Sequence, residues 1–342
     1  MADITVMGAG IFGLSVAWTC AARGARVRVI GPGGPGAGAS GGVVGALAPH
    51  VPEKWNDKKA FQFDSLIMAE TFWASVAEVS GKSPGYGRLG RLQPIADEAA
   101  LGLATARAAT ARDLWQGKAE WRVIPAREGW APFSPTGYLI EDTLSARLHP
   151  RRACAALVAA IRAKGGEVVT SGAPEGRVIW ATGVAGLQEL SAAHSRSVGA
   201  GVKGQGALLA YDAATLPQLF ADTLHVIPHA DGTTAIGSTS ENTYDDPDST
   251  DALLDAVIAR ARAAVPALVD APVLARWAGV RPRSRSRAPM LGAHPLRSGE
   301  FIANGGFKIG FGMAPKVGQV MADLILDGVD AIPEGFHPEA SY

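Results

Sequence analysis

A glycine-rich turn between an apolar strand and a helix limits the fold of this chain more than any other feature. The strand is predicted for Asp3 to Met7, the turn is Gly8-Ala9-Gly10-Ile11-Phe12-Gly13, and the helix continues from Leu14 to Ala22. In a G-x-G-x-x-G turn the first glycine permits the tight bend, the second lets a pyrophosphate approach the backbone, and the third lets the helix pack on the strand. A second strand, Arg26 to Ile30, completes a βαβ unit. The segment therefore predicts a Rossmann-like domain that binds a dinucleotide at the helix N-terminus.

The residue after the second strand bears on which dinucleotide is bound. This position normally holds an Asp or Glu that binds the ribose hydroxyls. Here it holds Gly31, and no acidic residue occurs between Asp3 and Glu53. The absence argues against NAD, and it also removes a contact that FAD normally makes.

The segment from Gly31 to His50 resembles the loop that follows the second strand in the D-amino-acid oxidase and glycine oxidase family. It reads GPGGPGAGASGGVVGALAPH. The resemblance implies that its Ala-Ser lies by the pyrophosphate and ribityl chain of FAD, and its Gly-Ala-Leu against the isoalloxazine. It therefore places five residues at the cofactor: Ser40, Gly41, Gly45, Ala46 and Leu47. A glycine-rich linker without fixed structure is the alternative.

Further stretches resemble the same family and follow in its order, so that the similarity extends from Ile4 to about Leu326. They are VIWATG at 178–183, AIGSTSE at 235–241, WAGVRP at 277–282, APMLG at 288–292 and NGGFKIGFGMAP at 304–315. The resemblance implies an α/β fold, in which a Rossmann-like FAD-binding domain of the GR2 type carries a second substrate domain of mixed-sheet α+β architecture.

The same resemblance implies an FAD-dependent oxidoreductase that oxidises the C–N bond of a small amino acid or secondary amine by hydride transfer to flavin N5. Such chemistry needs an oriented substrate rather than a metal or a nucleophile. A substrate carboxylate is best held by the planar fork of a guanidinium. Arg281, in the family's Gly-x-Arg-Pro position, is the candidate anchor, and the alternative for it is a structural salt bridge.

The resemblance also places residues of the C-terminal segment around the flavin. Gly305 to Gly312 is expected to cross the ring, and a helix from Pro315 to Leu326, followed by Gly328, to begin just beyond it. Lys308 is a candidate catalytic or cofactor contact, and it stands where relatives carry other residues; the alternative for it is a surface lysine. His50 is a third catalytic candidate, whereas Tyr244 and His229 are weaker pocket candidates. The full cofactor-binding prediction is Gly8, Gly10, Ile11, Phe12, Gly13, Gly31, Ser40, Gly41, Gly45, Ala46, Leu47, Thr182, Gly183, Gly279, Arg281, Gly306, Phe307, Lys308, Ile309 and Gly310.

Two other functions are compatible with the sequence. Arg281 begins an alternating series with Arg283, Arg285 and Arg287, and Pro282 and the serines make an extended edge or loop as plausible as a strand. On one strand these four side chains would share a face, which could simply be solvated. Such a face could bind RNA, as in a flavin oxidase that acts on an aminomethyl group of tRNA. A non-catalytic flavin-fold protein without cofactor affinity is the third possibility, because Gly31 lacks the ribose-binding acid.

Composition favours a small-molecule enzyme over a nucleic-acid or membrane protein. The 342 residues include 32 basic and 32 acidic side chains, and 47% are apolar. This balance gives the whole chain no electrostatic attraction to nucleic acid. No apolar run is long enough for a membrane span. Cys20 and Cys154 are predicted to be buried thiols. A reducing cytoplasm is expected, and no feature specifies an oligomeric state.

The positions of these motifs predict a discontinuous arrangement of domains. The FAD-binding domain is predicted to comprise residues 1–80, 143–198 and 278–342. The substrate domain is predicted to comprise residues 81–142 and 199–277, with a helix from about Thr250 to Ala264. Its strands are predicted near Gly87 to Pro94, Gly204 to Tyr211, Leu224 to Pro228 and Thr233 to Ser238. Only eight residues separate Val169 from Val178, a place where relatives usually carry a small β-meander. Its loss removes a second contact expected on the adenine side.

Overall fold

The computed structural model describes residues 1–342 and contains seven α-helices and sixteen strands. The helices are α1 (Ile11–Ala22), α2 (Asp57–Ser80), α3 (Glu98–Leu114), α4 (Pro150–Ala163), α5 (Val184–Ala193), α6 (Ala252–Ala264) and α7 (Gly310–Ala322). The strands are β1 (Ile4–Met7), β2 (Val27–Ile30), β3 (Ala46–Leu47), β4 (Arg91–Pro94), β5 (Trp121–Pro125), β6 (Tyr138–Asp142), β7 (Ala146–Arg147), β8 (Glu167–Val169), β9 (Arg177–Trp180), β10 (Gly199–Leu209), β11 (Gln218–Ala221), β12 (Leu224–Pro228), β13 (Thr234–Gly237), β14 (Val273–Ser284), β15 (Met290–Ala293) and β16 (Phe301–Asn304). None of the helices combines the length and the apolar character that crossing a bilayer requires.

A six-stranded sheet forms the first layer of the fold. Its strand order is β15-β16-β9-β1-β2-β8, and all neighbours are parallel except the edge strand β15. The apolar β1 is the central strand, and ten of the twelve residues of α1 are buried. Helix α1 packs against α4 and α7, which together bury the largest hydrophobic core. The predicted βαβ unit is thus confirmed.

A mixed sheet of eight strands forms the second layer. Its order is β14-β10-β13-β12-β11-β4-β6-β5, and only β11 and β4 run parallel. Helix α6 packs on β10, β12 and β13 and completes a separate core. The α6 helix and the strands near Leu224–Pro228 and Thr234–Gly237 lie where the sequence predicts them.

Strand β14 crosses the predicted domain boundary at 277/278. It pairs with β10 from Val273 as far as Ser284, so residues 278–284 hydrogen-bond within the eight-stranded sheet. A continuous antiparallel ladder leaves no local signal in the sequence at the point where the chain changes layers. The division of the chain into two domains remains a prediction, and the strand pairing assigns 278–284 to the second sheet.

The C-terminal helix differs from the prediction at its start. Helix α7 begins at Gly310, five residues before Pro315, which lies inside the helix. Proline costs a backbone hydrogen bond there. Gly310 and Gly312 offset this cost because they allow the first turn to pack closely on Ile11 and Leu66. Helix α7 itself ends at Ala322, and one π-helical turn, Asp323–Asp327, continues the segment past the predicted end at Leu326. Gly328 adopts the left-handed conformation after this turn, and its amide donates to the Asp323 and Leu324 carbonyls.

The connection between β8 and β9 is as short as the sequence predicts, with no strand between Val169 and Arg177. Glu175 holds this connection in place. It accepts the Ala2 amide, pairs with Arg28 and contributes a carbonyl that accepts the Thr5 hydroxyl. The β-meander is therefore absent, as the sequence predicts, and Glu175 instead links this connection to β1 and β2.

Candidate functional site

A cavity of about 900 Å³ lies where the two sheets meet. Three segments line most of it: the glycine turn after β1, the loop after β2, and the residues from the end of β16 to the start of α7. The end of β9 and the middle of β14 complete the wall. The cavity therefore collects chain segments that the sequence alone assigns to one site.

The glycine turn brings the N-terminus of α1 to the cavity. Gly8 has φ +116°, and a side chain there would collide with the Ala181 carbonyl on β9. A Cβ on Gly13 would collide with the Gly8 carbonyl, so this glycine lets the helix pack on the turn. Gly10 borders the cavity, and a Cβ there would meet only Ser40 Oγ, at 3.4 Å. The turn thus leaves space for a phosphate beside the positive end of a helix.

The loop after β2 folds over this helix terminus. Ser40 Oγ accepts a hydrogen bond of 3.0 Å from the Ile11 amide, and the Gly36 amide donates to the Ala9 carbonyl. Gly31 lies against Ala9, with 2.6 Å between an added Cβ and the Ala9 Cβ. The close packing of Gly31 on Ala9 therefore leaves no space at this position for the ribose-binding acid that the sequence lacks. Asp248, from the distant segment after β13, is the only acidic residue that lines the cavity.

These features fit the FAD that the sequence resemblance implies. The volume is large, the α1 terminus carries no acidic residue in its first turn, and the glycine backbone is open to a pyrophosphate. The loop is an ordered wall, which excludes the alternative of an unstructured linker. Contacts to the ribose would come from backbone groups of 31–38 rather than from a carboxylate.

The turn from β16 to α7 forms the opposite wall. The Asn304 side-chain amide donates to the Gly183 carbonyl at 2.9 Å, and Asn304 Oδ1 accepts the Gly305 amide at 2.7 Å. Gly306 faces Phe12, with 3.0 Å between an added Cβ and the ring. Gly310, the first residue of α7, also lines the cavity. A second helix N-terminus therefore borders the same space as the first.

Arg281 projects from β14 into the cavity and is only 8% exposed. One Nη donates to the Thr239 carbonyl at 3.2 Å and the other to Ser238 Oγ at 2.6 Å. Because a guanidinium has five N–H groups, three remain available. Its planar group lies over Gly204, where any side chain would collide with it. Burial lowers the pKa of Arg281 to about 10, against the opposing effect of Glu241, so the group stays charged at neutral pH.

The four-arginine face predicted from the sequence does not form. Arg281 is buried, and the Arg283 guanidinium lies 5.7 Å from the centre of the Phe307 ring. Arg285 and Arg287 come after the end of β14 and are exposed, with Arg287 in a left-handed turn at φ +59°. The strand ends too early to align all four side chains.

Lys308 borders the cavity beside Arg281. Its Nζ lies 5.6 Å from the centre of the Phe307 ring and has no hydrogen-bond acceptor or carboxylate partner in the protein. Desolvation lowers the pKa of Lys308, and the charges of Arg281 and Arg283 lower it further.

Most predicted cofactor residues line the cavity, and several do not. Those that line it are Gly8, Gly10, Ile11, Phe12, Gly31, Ser40, Ala46, Thr182, Gly183, Gly279, Arg281, Gly306, Phe307, Lys308 and Gly310. Those outside its lining are Gly13, Gly41, Gly45, Leu47 and Ile309. Gly45 packs against the Leu148 carbonyl, and Leu47 is fully buried in the main core.

His50 and His229 are also outside the cavity lining. Gln62 Oε1, on α2, accepts the backbone amide of His50 and also bonds His50 Nδ1, and the Gln62 side-chain amide donates to the Ala48 carbonyl. His50 is therefore held against α2. Its pKa is lowered by burial. His229 is buried against His149, with 4.5 Å between ring centres. By contrast, Tyr244 does line the cavity.

Several lining residues were not predicted from the sequence, among them Trp180, Gln188, Ser238, Asp248, Trp277 and Val280. Ser238, Trp277 and Val280 stand within the motifs AIGSTSE and WAGVRP, so their place in these motifs was an available signal. Gln188 and Asp248 have no local signal, because helix α5 and the segment after β13 reach the cavity only through the fold.

Comparison with known proteins places these observations in a family. Residues 3–324 match the family model described as FAD dependent oxidoreductase, abbreviated DAO. A glycine oxidase of Pseudomonas aeruginosa is 35% identical over 125 residues, which are 36% of this chain and 34% of that protein. The chain thus aligns with only about a third of the length of this relative. A glycine oxidase of Bacillus licheniformis is 25% identical over 358 residues, covering 95% of this chain and 93% of that protein.

Solved structures share the fold. Glycine oxidase from Bacillus cereus superposes with a TM-score of 0.82 at 22% identity, covering 96% of each chain. Iminodiacetate oxidase from Chelativorans sp. superposes with a TM-score of 0.84 at 21% identity, covering 98% of each chain. The likeness extends over both sheets and confirms the predicted fold class.

Proposed function

This chain belongs to the DAO family of FAD-dependent oxidoreductases, and on that premise we propose that it oxidises the C–N bond of a small amino acid or secondary amine. The observation that carries the proposal is Arg281. It is a buried cation with three free N–H groups in the same cavity as the phosphate-binding turn. A buried cation that forms no ion pair with a carboxylate is expensive unless a ligand supplies the opposite charge.

The residues of the chain divide between cofactor and substrate. Gly10, Ile11 and Ser40 would hold the pyrophosphate of FAD, and Gly306 and Gly310 would border its ring. When bound, FAD accepts the two electrons that leave the carbon beside the amine nitrogen as a hydride. The N-terminus of α7 contributes positive partial charge near the ring, where negative charge develops on reduction.

The protein orients the substrate for this chemistry. Arg281 binds the carboxylate through paired, charge-assisted hydrogen bonds and so fixes the adjacent carbon. The substrate loses a hydride from that carbon and a proton from nitrogen, which leaves a C=N bond. Hydrolysis of the C=N bond gives a carbonyl product and an amine or ammonia. The proton that leaves the nitrogen would pass to solvent.

The two cysteines support a location of the protein in the cytoplasm. Cys20 and Cys154 are buried and unpaired, as predicted, and burial raises the pKa of each to about 12. Unreactive free thiols suit a reducing cytoplasm.

The cavity accommodates a cofactor and a small molecule, and the arginine face that favoured an RNA substrate is not formed.

Variants of Arg281 test the proposed anchor. In Arg281→Ala the amine concentration that half-reduces the bound flavin should rise about 100-fold, because a charge-assisted pair contributes about 1.5–3 kcal/mol. Arg281→Lys should recover part of this loss, since it keeps the charge without the fork. The measurement is anaerobic reduction of the reconstituted protein, monitored by visible absorbance.

Arg285→Ala is the matched control, because Arg285 is exposed beyond the end of β14. It should behave as the wild type. Equal responses of Arg281→Ala and Arg285→Ala would remove Arg281 from the proposed mechanism.

A further inference from the structure

The substrate end of the cavity contains more positive charge than one carboxylate would neutralise. Arg281 and Lys308 both line the cavity, and Arg283 lies against the Phe307 ring between strand and loop. None of these three cations takes part in an ion pair of the protein. Arg281 is buried and Lys308 is exposed at the border of the cavity, and the protein supplies an ion-pair partner to neither.

The nearby polar groups do not supply the missing negative charge. Arg91 is paired with the buried Asp142, so that carboxylate is already neutralised. His225 stays uncharged, because burial and the charges of Arg91, Lys308 and Arg281 lower its pKa to about 3. Asp248, the acidic residue of the lining, pairs with none of the three cations.

The loop and strand hold Lys308 beside Arg281. The Phe307 amide donates to the Pro282 carbonyl at 3.0 Å, which ties the loop to β14 next to Arg281. The Phe307 ring lies close to both the Lys308 ammonium and the Arg283 guanidinium, at 5.6 and 5.7 Å from the ring centre. Phe307 itself has φ +43°, which lies in the left-handed region and is uncommon for an aromatic residue.

We propose that the substrate is an amine with two carboxylates, one bound by Arg281 and the second by Lys308. This inference rests on the proposed function, and it specifies the substrate class. Two anionic groups flanking the amine would neutralise both lining cations and leave the carbon between nitrogen and the first carboxylate at the reacting position. An amine with one carboxylate would leave the Lys308 ammonium without a partner.

A pair of unreactive ligands tests the second contact by itself. Oxydiacetate has two carboxylates and methoxyacetate has one, and in both an ether oxygen replaces the oxidisable nitrogen. Binding is measured in the reconstituted protein by the shift of the flavin visible band. The wild type should bind oxydiacetate about two- to fivefold more tightly than methoxyacetate, since an ion pair with an exposed ammonium contributes up to about 1 kcal/mol.

Variants assign the preference to one side chain. Lys308→Met should reduce the ratio of affinities to about one, because it should weaken the binding of oxydiacetate more than that of methoxyacetate. Lys308→Arg should keep most of the preference, because it keeps the charge. Lys164→Met is the control, since Lys164 is exposed at the end of α4. It should keep the full preference.

The outcomes distinguish this inference from the function on which it rests. A wild type that is bleached by sarcosine and binds both ligands equally would overturn the dicarboxylate assignment alone. So would a Lys308→Met protein that loses affinity for both ligands to the same extent, because that would place Lys308 at the flavin or at the first carboxylate. If no ligand shifts the band and no amine bleaches it, the proposed function itself fails.

Discussion

Gly10 and Gly13 are three residues apart, yet an added methyl group would act differently at each. At Gly13 it would collide with the Gly8 carbonyl inside the protein. At Gly10 it would meet Ser40 Oγ at 3.4 Å, an ordinary contact, and project towards the cavity. The fold therefore requires glycine at position 13, and whatever occupies the cavity requires it at position 10.

This difference predicts separate effects on stability and on cofactor binding. Gly13→Ala should lower the free energy of unfolding of the FAD-free protein by about 2 kcal/mol, as expected for overpacking. Gly10→Ala should change it by no more than about 1 kcal/mol but weaken FAD binding at least about tenfold. Urea unfolding and a fluorescence titration with FAD measure the two quantities. Wild-type FAD affinity in Gly10→Ala would show that no pyrophosphate lies at this turn.

Single residues were predictable from the sequence where their role is local. Gly8, Gly10 and Gly13 belong to a turn whose geometry depends on the neighbouring backbone, and the turn is present. His50 was not predictable, because its direction depends on Gln62 of a later helix. Leu47 belongs to the main core for a similar reason, since the short β3–β7 pairing decides which way it faces.

At the scale of elements, the segment after β13 is held by a buried polar network. Lys203 on β10 is only 2% exposed and lies 4.0 Å from Glu241 and 3.8 Å from Asp251. The Gln205 side-chain amide donates to both carboxylates. Glu241 also bonds the Thr239 hydroxyl. Because Arg281 donates to Ser238 and Thr239, the network fixes the acceptors that hold the proposed substrate anchor.

This network predicts a strong coupling between Lys203 and Glu241. Glu241→Leu should lower the free energy of unfolding by about 3 kcal/mol, because it leaves a buried ammonium with a weaker partner. Lys203→Met in the same chain should recover part of that loss. Chemical denaturation of the two single variants and the double variant gives the coupling energy. Strictly additive losses would contradict the network.

Elements were predictable where periodicity and turn residues agree, as for α1, β12 and α6. The start of α7 was not, because Pro315 is a usual helix-start residue and only the packing of Gly310 and Gly312 extends the helix past it. The place where the chain changes sheets was not predictable either, since β14 runs through 277/278 without a break in its ladder and brings residues 278–284 into the eight-stranded sheet.

On the scale of the whole molecule, buried histidines link stability to pH. His149 lies at the start of α4 and His229 at the end of β12, with 4.5 Å between their ring centres. Burial lowers the pKa of His229 to about 4, and burial also lowers the pKa of His149. The unfolded chain therefore binds protons before the folded protein does. The stabilising contribution is complete above about pH 6.5 and is lost as the pH falls towards 4.

His229→Gln tests this dependence. Between about pH 6.5 and 4.5 the wild type should lose up to about 1.4 kcal/mol per pH unit for each such histidine. The slope of unfolding free energy against pH should be shallower in His229→Gln than in the wild type. His337→Gln is the control, because His337 lies near Asp330 away from this pair. An unchanged slope in His229→Gln would show that the residue does not contribute.

The most direct test of the central claim is an anaerobic visible spectrum of the protein reconstituted with FAD. Glycine, sarcosine, proline, D- and L-amino acids and an amine with two carboxylates are added in turn. We expect a bound flavin band that at least one of these amines bleaches. The amine with two carboxylates should bleach it at the lowest concentration. A protein that takes up no FAD, or a bound flavin that no amine bleaches, would contradict the central claim.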